Sequence, residues 1–195
     1  MLRLLSILFA ASLLASCDAD SEYSSWPCRF SYDNSLHLDA TLGAALDVNS
    51  PGTFCAVSEQ TQASVKWIVF ENNKQQTSRQ PETREEMLAQ YILGLNNGII
   101  VGFQSGVRDY AGNAVFTAYD IQCPNCVRDE QNTISPNYRV TMTDSGIATC
   151  KHCQRRYDLN FGGQLQNPQK NDKSLQKYVA MTSGSNGHVS VFRHR

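Results

Sequence analysis

This sequence of 195 residues predicts a mainly β fold, in which antiparallel sheets stack around one core and a single short helix is inserted. Two observations support this expectation. From residue 28 onward, short runs of β-branched and aromatic residues alternate with turn-forming residues. Residues 28–195 also have the length of one domain, which is enough chain to bury one hydrophobic core.

The predicted strands are short and lie between polar segments. They are residues 65–70, 99–103, 115–119, 138–142, 147–149, 175–181 and 188–192. Turn residues Asp144, Ser145 and Gly146 join two of these strands, and residues 183–187 join the last two as a terminal hairpin.

One segment has helical periodicity instead. Between Pro81 and Leu93, apolar side chains recur at helical spacing, and Gly94 follows as a stop signal. This segment is the predicted short helix, inserted on the β scaffold.

The first 16 residues predict a lipoprotein signal peptide. Arg3 precedes an apolar run, residues 4–14, which has the length of a signal-peptide core and is too short to span a bilayer. The run ends in Leu14-Ala15-Ser16-Cys17, which resembles the lipobox of bacterial lipoproteins. An ordinary secretory signal with a chance cysteine is the alternative. We therefore expect cleavage before Cys17, lipid on that cysteine, and a lipidated tether over residues 17–27.

The lipid on Cys17 implies an exported protein held to the inner or outer membrane, on the periplasmic face or the cell surface. The membrane is thus the first expected partner. Nucleic acid is not expected, because 17 basic and 18 acidic residues nearly balance and leave no basic field.

Two C-x-x-C pairs carry the strongest chemical signal. Cys123 and Cys126 form the first pair, and Cys150 and Cys153 form the second, 23 residues later. Two residues between thiolates allow a tight turn to direct both sulfurs at one metal ion, so two such turns predict a four-cysteine centre. Zinc, iron or an iron–sulfur cluster would suit these ligands. Disulfides within the pairs are the alternative in an oxidising compartment.

Three further residues have open roles. His152 lies inside the second pair and is a candidate additional ligand. Cys28 and Cys55 stand alone, and they form either a disulfide that closes a loop of roughly 28 residues or two free buried thiols. Tyr157 is expected in the core, and Arg155 and Arg156 on a solvated strand edge rather than in a binding patch.

Around the paired cysteines the chain resembles the Rieske-type ferredoxin domain. Residues 118–124 are similar to the strand and first cluster loop of that family, and residues 146–163 are similar to its second loop. The resemblance implies a single Rieske-like β-domain over residues 28–195, with stacked antiparallel sheets and a metal-binding two-loop subdomain within residues 118–163. It covers residues 28–98 only loosely.

The departures from that family change the expected cofactor. A Rieske cluster takes two cysteines and two histidines, whereas cysteines stand at both histidine positions here. The first loop has one residue more between its ligands, and Gln154 replaces the glycine expected after the last ligand. The options are one zinc or iron on four cysteines, or an all-cysteine [2Fe–2S] cluster.

The sequence thus predicts a membrane-anchored binding or electron-transfer module rather than a catalyst, with a redox protein as a possible partner. A structural zinc site in a binding lipoprotein and a metal-free, disulfide-bonded structural lipoprotein are the alternatives. Neither a Ser–His–Asp order nor a pair of carboxylates stands out, so hydrolase chemistry has no support.

Overall fold

The computed structural model describes residues 23–194. The predicted signal peptide and Cys17 lie outside this range. Residues 23–27, the end of the predicted tether, pack on the fold: the Ser24 backbone N–H donates to the carbonyl of Lys177 at 2.7 Å, and Trp26 lies against the core. No helix within residues 23–194 is long and apolar enough to cross a membrane.

Twelve short strands make the described part mainly β, as predicted. In chain order they are β1 Arg29–Asp33, β2 Phe54–Gln62, β3 Val65–Asn72, β4 Thr77–Pro81, β5 Ile99–Arg108, β6 Ala114–Asp120, β7 Val140–Met142, β8 Ile147–Cys150, β9 Arg156–Asp158, β10 Gln164–Leu165, β11 Lys177–Thr182 and β12 His188–Phe192. The predicted terminal hairpin is β11–β12, and the predicted Asp144–Gly146 turn joins β7 to β8.

The strands form two antiparallel sheets. The larger has the order β1-β12-β11-β6-β5-β2-β3-β4, and the smaller has the order β10-β9-β8-β7. The chain leaves the large sheet at the end of β6, builds the small sheet, and returns at β11. The small sheet is therefore an insertion between two neighbouring strands of the large one.

Four short α-helices accompany the sheets: α1 Asn34–His37, α2 Ala40–Ala45, α3 Arg84–Ala89 and α4 Pro124–Asp129. Only α3 was predicted, and it is shorter than the predicted segment. The expectation of a single helix was wrong because the others span four to six residues, too few to show helical periodicity. Side-chain caps hold α1 and α2, where Asp33 and Asp39 accept hydrogen bonds from the first turn.

Two clusters of buried side chains form the core. The first lies on the large sheet and includes Phe30, Tyr32, Phe70 and Val191, all at most 1% exposed. The second lies between the two sheets, and it contains three of the paired cysteines together with Tyr119 and Tyr157. The cysteine pairs are thus part of the packing that joins the small sheet to the large one.

Asp120, the last residue of β6, fixes the point where the chain leaves the large sheet. Its carboxylate accepts hydrogen bonds from the Tyr178 hydroxyl at 2.6 Å and from the backbone N–H groups of Leu95 and Gln122 at 2.7 Å each. Burial raises the pKa of Asp120 to about 6 despite these donors. The first cysteine loop starts three residues later, so these bonds set its position.

A second buried carboxyl group lies far along the chain from the cysteines. Glu82 is 9% exposed and lies beside Glu59 and Tyr91, and its Oε1 has no hydrogen-bond partner within the described residues. Burial, followed by hydrogen bonding and repulsion from Glu59, raises the pKa of Glu82 to about 7. Sequence patterns do not indicate this carboxylate pair, because Glu59 and Glu82 lie on different segments.

The raised pKa of Glu82 predicts that the folded chain loses stability as the pH rises. The folded state holds the Glu82 proton up to about pH 7, whereas the unfolded chain releases it near the ordinary value of 4.5. The stabilising contribution is therefore complete below 4.5 and is lost as the pH rises through 7. Thermal unfolding at a series of pH values should give a Tm that falls between pH 5 and pH 8.

Glu82→Gln should flatten this fall, because the amide stays neutral. Part of the dependence of Tm on pH should remain in this variant, because the raised pKa of Asp120 also lowers stability as the pH rises. Glu85→Gln, at an exposed position on α3, is the matched control and should keep the wild-type slope. An equal dependence of Tm on pH in the wild type and in Glu82→Gln would refute the raised pKa of Glu82.

Candidate metal centre

The first cysteine loop, residues 123–126, follows the end of β6. The Cys123 backbone N–H donates to the carbonyl of Tyr138 at 2.9 Å, and Cys123 then caps α4, with Pro124 at the start of that helix. Cys126 lies one turn further along α4. The pair thus opens a helix, which the sequence did not indicate, but this helix connects antiparallel strands and is not part of a βαβ unit.

The second cysteine loop, residues 150–153, turns the chain between β8 and β9. The Gln154 N–H donates to the Cys150 carbonyl at 2.9 Å, and the Cys150 N–H donates to the Arg155 carbonyl at 3.0 Å. Gln154 adopts a left-handed conformation with φ 59°. A glycine would adopt this conformation with less strain than glutamine does.

The two loops bring the four cysteine sulfurs together. All four sulfurs lie within 4.8 Å of one another. Two separations between the loops are 3.7 Å, for Cys123 and Cys153, and 3.6 Å, for Cys126 and Cys150. A tetrahedron with metal–sulfur bonds of about 2.3 Å has edges of roughly 3.8 Å, so these cysteines can hold a metal ion, as predicted.

The sulfurs are free thiols in this arrangement. A disulfide requires about 2.05 Å between sulfurs, and all four cysteines are unbridged. A hydrogen bond from the Cys123 thiol to Cys150 and then burial raise the pKa of Cys123, and burial raises that of Cys126. Without a metal these two thiols are protonated, so a binding metal must displace their protons.

Buried polar side chains hold the inner edge of the centre. The Tyr157 hydroxyl lies 3.0 Å from the Cys123 sulfur and accepts a hydrogen bond from Asn125 at 2.9 Å. The Asn125 side chain also bonds the backbone of Lys173, at 2.8 and 2.9 Å. Tyr157 is fully buried, as predicted, and it additionally orients a ligand of the centre.

The outer edge of the centre is formed by Cys153, the one partly exposed cysteine of the four, and by charged side chains. Arg155 donates to the Cys153 sulfur and forms ion pairs with Asp129 at 3.1 Å and Asp172 at 3.0 Å. Arg128 pairs with the same two aspartates. Cys153, Arg155 and Asp172 line a cavity of about 290 Å³.

This group of two arginines and two aspartates, here called the charged clasp, joins the second cysteine loop to α4 and to the segment before β11. The expectation that Arg155 lies on a solvated edge was wrong, because its side chain is only 20% exposed. Sequence reasoning missed the clasp since its members come from three separate segments. The position of Arg155, two residues after a ligand, was the one available signal.

The other candidate residues, His152, Cys28 and Cys55, lie apart from the four clustered sulfurs. The exposed ring of His152 lies against Tyr138, with ring centroids 4.8 Å apart, and its Nε2 is 3.6 Å from Glu130 Oε1. It is not part of the group of ligand atoms that could share one ion.

Cys28 and Cys55 are free buried thiols, the second of the two predicted alternatives. The Cys28 sulfur is 3.9 Å from the Val191 carbonyl, whereas the Cys55 sulfur is 3.5 Å from the Ala56 carbonyl. The predicted disulfide is absent because each sulfur faces a different carbonyl group. Burial raises the pKa of both thiols, to about 12 for Cys28.

Comparison of this chain with known protein families, curated proteins and solved structures finds no match. Within residues 23–194, the four cysteines are the one group of three or more acidic, histidine or cysteine side chains with ligand atoms close enough to share a metal ion. The chemistry of the centre is therefore argued from its geometry.

The charged clasp predicts that Arg155→Gln loosens the metal. Removing the guanidinium takes a hydrogen bond from the Cys153 sulfur and frees the second cysteine loop from Asp129 and Asp172. Loss of such an outer partner weakens metal affinity by about tenfold or more. Transfer of zinc to a coloured chelator should accordingly be faster in this variant.

Arg156→Gln is the matched control, because Arg156 is exposed and makes no ion pair within the described residues. Its transfer rate should equal that of the wild type. A wild-type rate in Arg155→Gln would show that the clasp does not support the centre.

Proposed function

We propose that this chain is an exported, lipid-anchored metalloprotein with a Rieske-like two-loop domain in which Cys123, Cys126, Cys150 and Cys153 bind one zinc ion. The single observation that carries the proposal is the spread of the four sulfurs, which stay within 4.8 Å of one another. When bound, zinc supplies no redox chemistry and acts as a crosslink between the two loops.

The sulfur spread favours one ion over a [2Fe–2S] cluster. A cluster places two irons and their bridging sulfides between two pairs of cysteine sulfurs, so the pairs must stand well apart. Here all four sulfurs lie within 4.8 Å of one another, and two separations between the loops, 3.6 and 3.7 Å, match the edges of a single tetrahedron. Each loop would contribute two ligands to the same ion.

An exported location is supported by the residues that precede the fold. The lipobox-like Leu14-Ala15-Ser16-Cys17 supports lipidation at Cys17, and lipid on that cysteine would hold the domain at a membrane. Thiols in such a compartment oxidise unless something protects them. Four unbridged sulfurs at tetrahedral separations favour a metal as the protecting agent.

An electron carrier with one iron is the second candidate. Its specific support is the placement of Cys153, which is partly exposed while the other three sulfurs are buried. A single exposed ligand gives an electron a short path between the centre and a docked redox protein. An iron on four thiolates would exchange one electron at this edge, with no bond made or broken.

Metal content and the visible spectrum separate these candidates. The chain from residue 18 onward contains every residue of both cores and should be purified without oxygen. We expect one zinc per chain and no visible absorbance. One iron with visible absorbance would establish the electron carrier instead, and two irons with inorganic sulfide would establish the cluster.

Two variants test whether the metal is held by these sulfurs. Cys150→Ser should lower the zinc content at least tenfold, because Cys150 is fully buried in the centre. Cys55→Ala is the matched control, since it removes an equally buried thiol outside the centre and should keep one zinc. Protein free of metal, with its four cysteines oxidised, would reject both metal candidates.

A further inference from the structure

An exposed apolar surface lies at one edge of the large sheet, away from the cysteines. Its members are five large side chains on α1, on α3 and in the residues that follow each helix. They are Leu36, 71% exposed; Leu38, 65%; Met87, 46%; Leu88, 75%; and Ile92, 39%. We call these residues the apolar strip.

A contact between α1 and α3 brings the two parts of the strip together. His37 lies between the two leucines, and its Nε2 is 3.0 Å from Glu86 Oε1 on α3. Its ring also stacks on buried Tyr32, with centroids 4.9 Å apart. Because His37 and Glu86 face inward, the apolar side chains next to them in the chain face solvent.

The strip continues along the edge strand β1. Arg29, the first residue of β1, exchanges two backbone hydrogen bonds with Ile92, at 2.8 and 2.9 Å. Its guanidinium also donates to the Gln90 carbonyl at 3.0 Å. These bonds fix the segment after α3 against β1, so the strip runs from the start of β1 at Ile92 to α1 at the other end of that strand.

The tether meets the fold beside the Ile92 end of the strip. Tyr23 pairs with Lys177 and stacks on His194, with ring centroids 5.1 Å apart. His194 follows β12, the strand that pairs with β1 along its length. Only five residues lie between Cys17 and Tyr23, so the two ends of this segment are at most about 22 Å apart.

We propose that the apolar strip docks on the lipid bilayer that holds the chain, an inference that rests on the proposed lipid anchor. The short tether keeps the domain against that bilayer, and the Ile92 end of the strip lies at the end of β1 and β12 where the tether meets the fold. Large apolar patches are rare on soluble monomers and mark contact surfaces. Leucine and methionine on short surface helices suit the apolar boundary beneath the lipid headgroups.

The charges beside the strip indicate how it binds. Arg29 and Arg84 beside the strip are exposed and basic, and exposed Glu85 is acidic, so the basic excess is small. Insertion of apolar side chains, rather than attraction to anionic lipid, therefore supplies the binding, and added salt should change it little.

Flotation with vesicles tests the docking without the lipid. The chain from residue 18 onward is mixed with vesicles of phosphatidylethanolamine and phosphatidylglycerol and centrifuged through a density gradient. We expect wild-type chain to float, and Leu36→Ser with Leu88→Ser to lower the partition coefficient about tenfold or more. These two positions are the most exposed of the strip, so the variant should fold normally.

Tyr110→Ser with Ile134→Ser is the matched control, because both residues are exposed and lie outside the strip. It should float as the wild type does. Failure of the wild type to float, or an equal loss in the control, would overturn the docking. So would a concentration-dependent dimer that the strip variant abolishes, since the strip would then bind a second copy.

The anchor is tested separately by mass spectrometry of the full-length chain expressed in a bacterial membrane. Acyl chains on a mature chain beginning at Cys17 support the anchor whatever the vesicles show. An unmodified Cys17 rejects the anchor, and with it the tether argument, even if the strip binds vesicles.

Discussion

The fold depends on the convergence of four sulfurs from two loops at the junction of the sheets. The strands of the small sheet have only two to four residues each, too few for independent stability. Its core is shared with the large sheet, and Cys123, Cys126 and Cys150 lie inside that core. A metal on the sulfurs would therefore fasten the small sheet to the large one.

The surroundings position the sulfurs from both sides. On the inner side, the bonds of Asp120 fix the start of the first cysteine loop, and Tyr157 with Asn125 holds the Cys123 sulfur. On the outer side, the charged clasp closes over Cys153. Such outer partners restrict the conformations of the cysteine ligands before a metal binds. Metal binding therefore costs less conformational entropy.

Sequence patterns predicted the features of this molecule that depend on interactions between residues close together in the chain. The β-rich segments, the terminal hairpin and the spacing of the cysteine pairs were all readable, because strand propensity and turn residues act over a few positions. The clustering of the four sulfurs was predicted on the same basis. Helices α1, α2 and α4 were missed, since four to six residues fixed by capping and packing carry no periodic signal.

What the sequence did not reveal depends on contacts between distant segments. Arg155 was expected in solvent, yet its partners Asp129 and Asp172 are brought to it by the path of the chain around the small sheet. The Glu59–Glu82 pair and the apolar strip arise in the same way, from β2, α3 and α1 meeting in space. The free state of Cys28 and Cys55 was one of two open alternatives, and only their separate surroundings decide it.

X-ray absorption at the metal edge tests the central claim most directly. The account predicts one metal surrounded by four sulfurs at about 2.3 Å, with no second metal in its vicinity. A short metal–metal distance would contradict the single-ion centre. Nitrogen or oxygen replacing one of the four sulfurs would contradict the assignment of Cys123, Cys126, Cys150 and Cys153 as the complete ligand set.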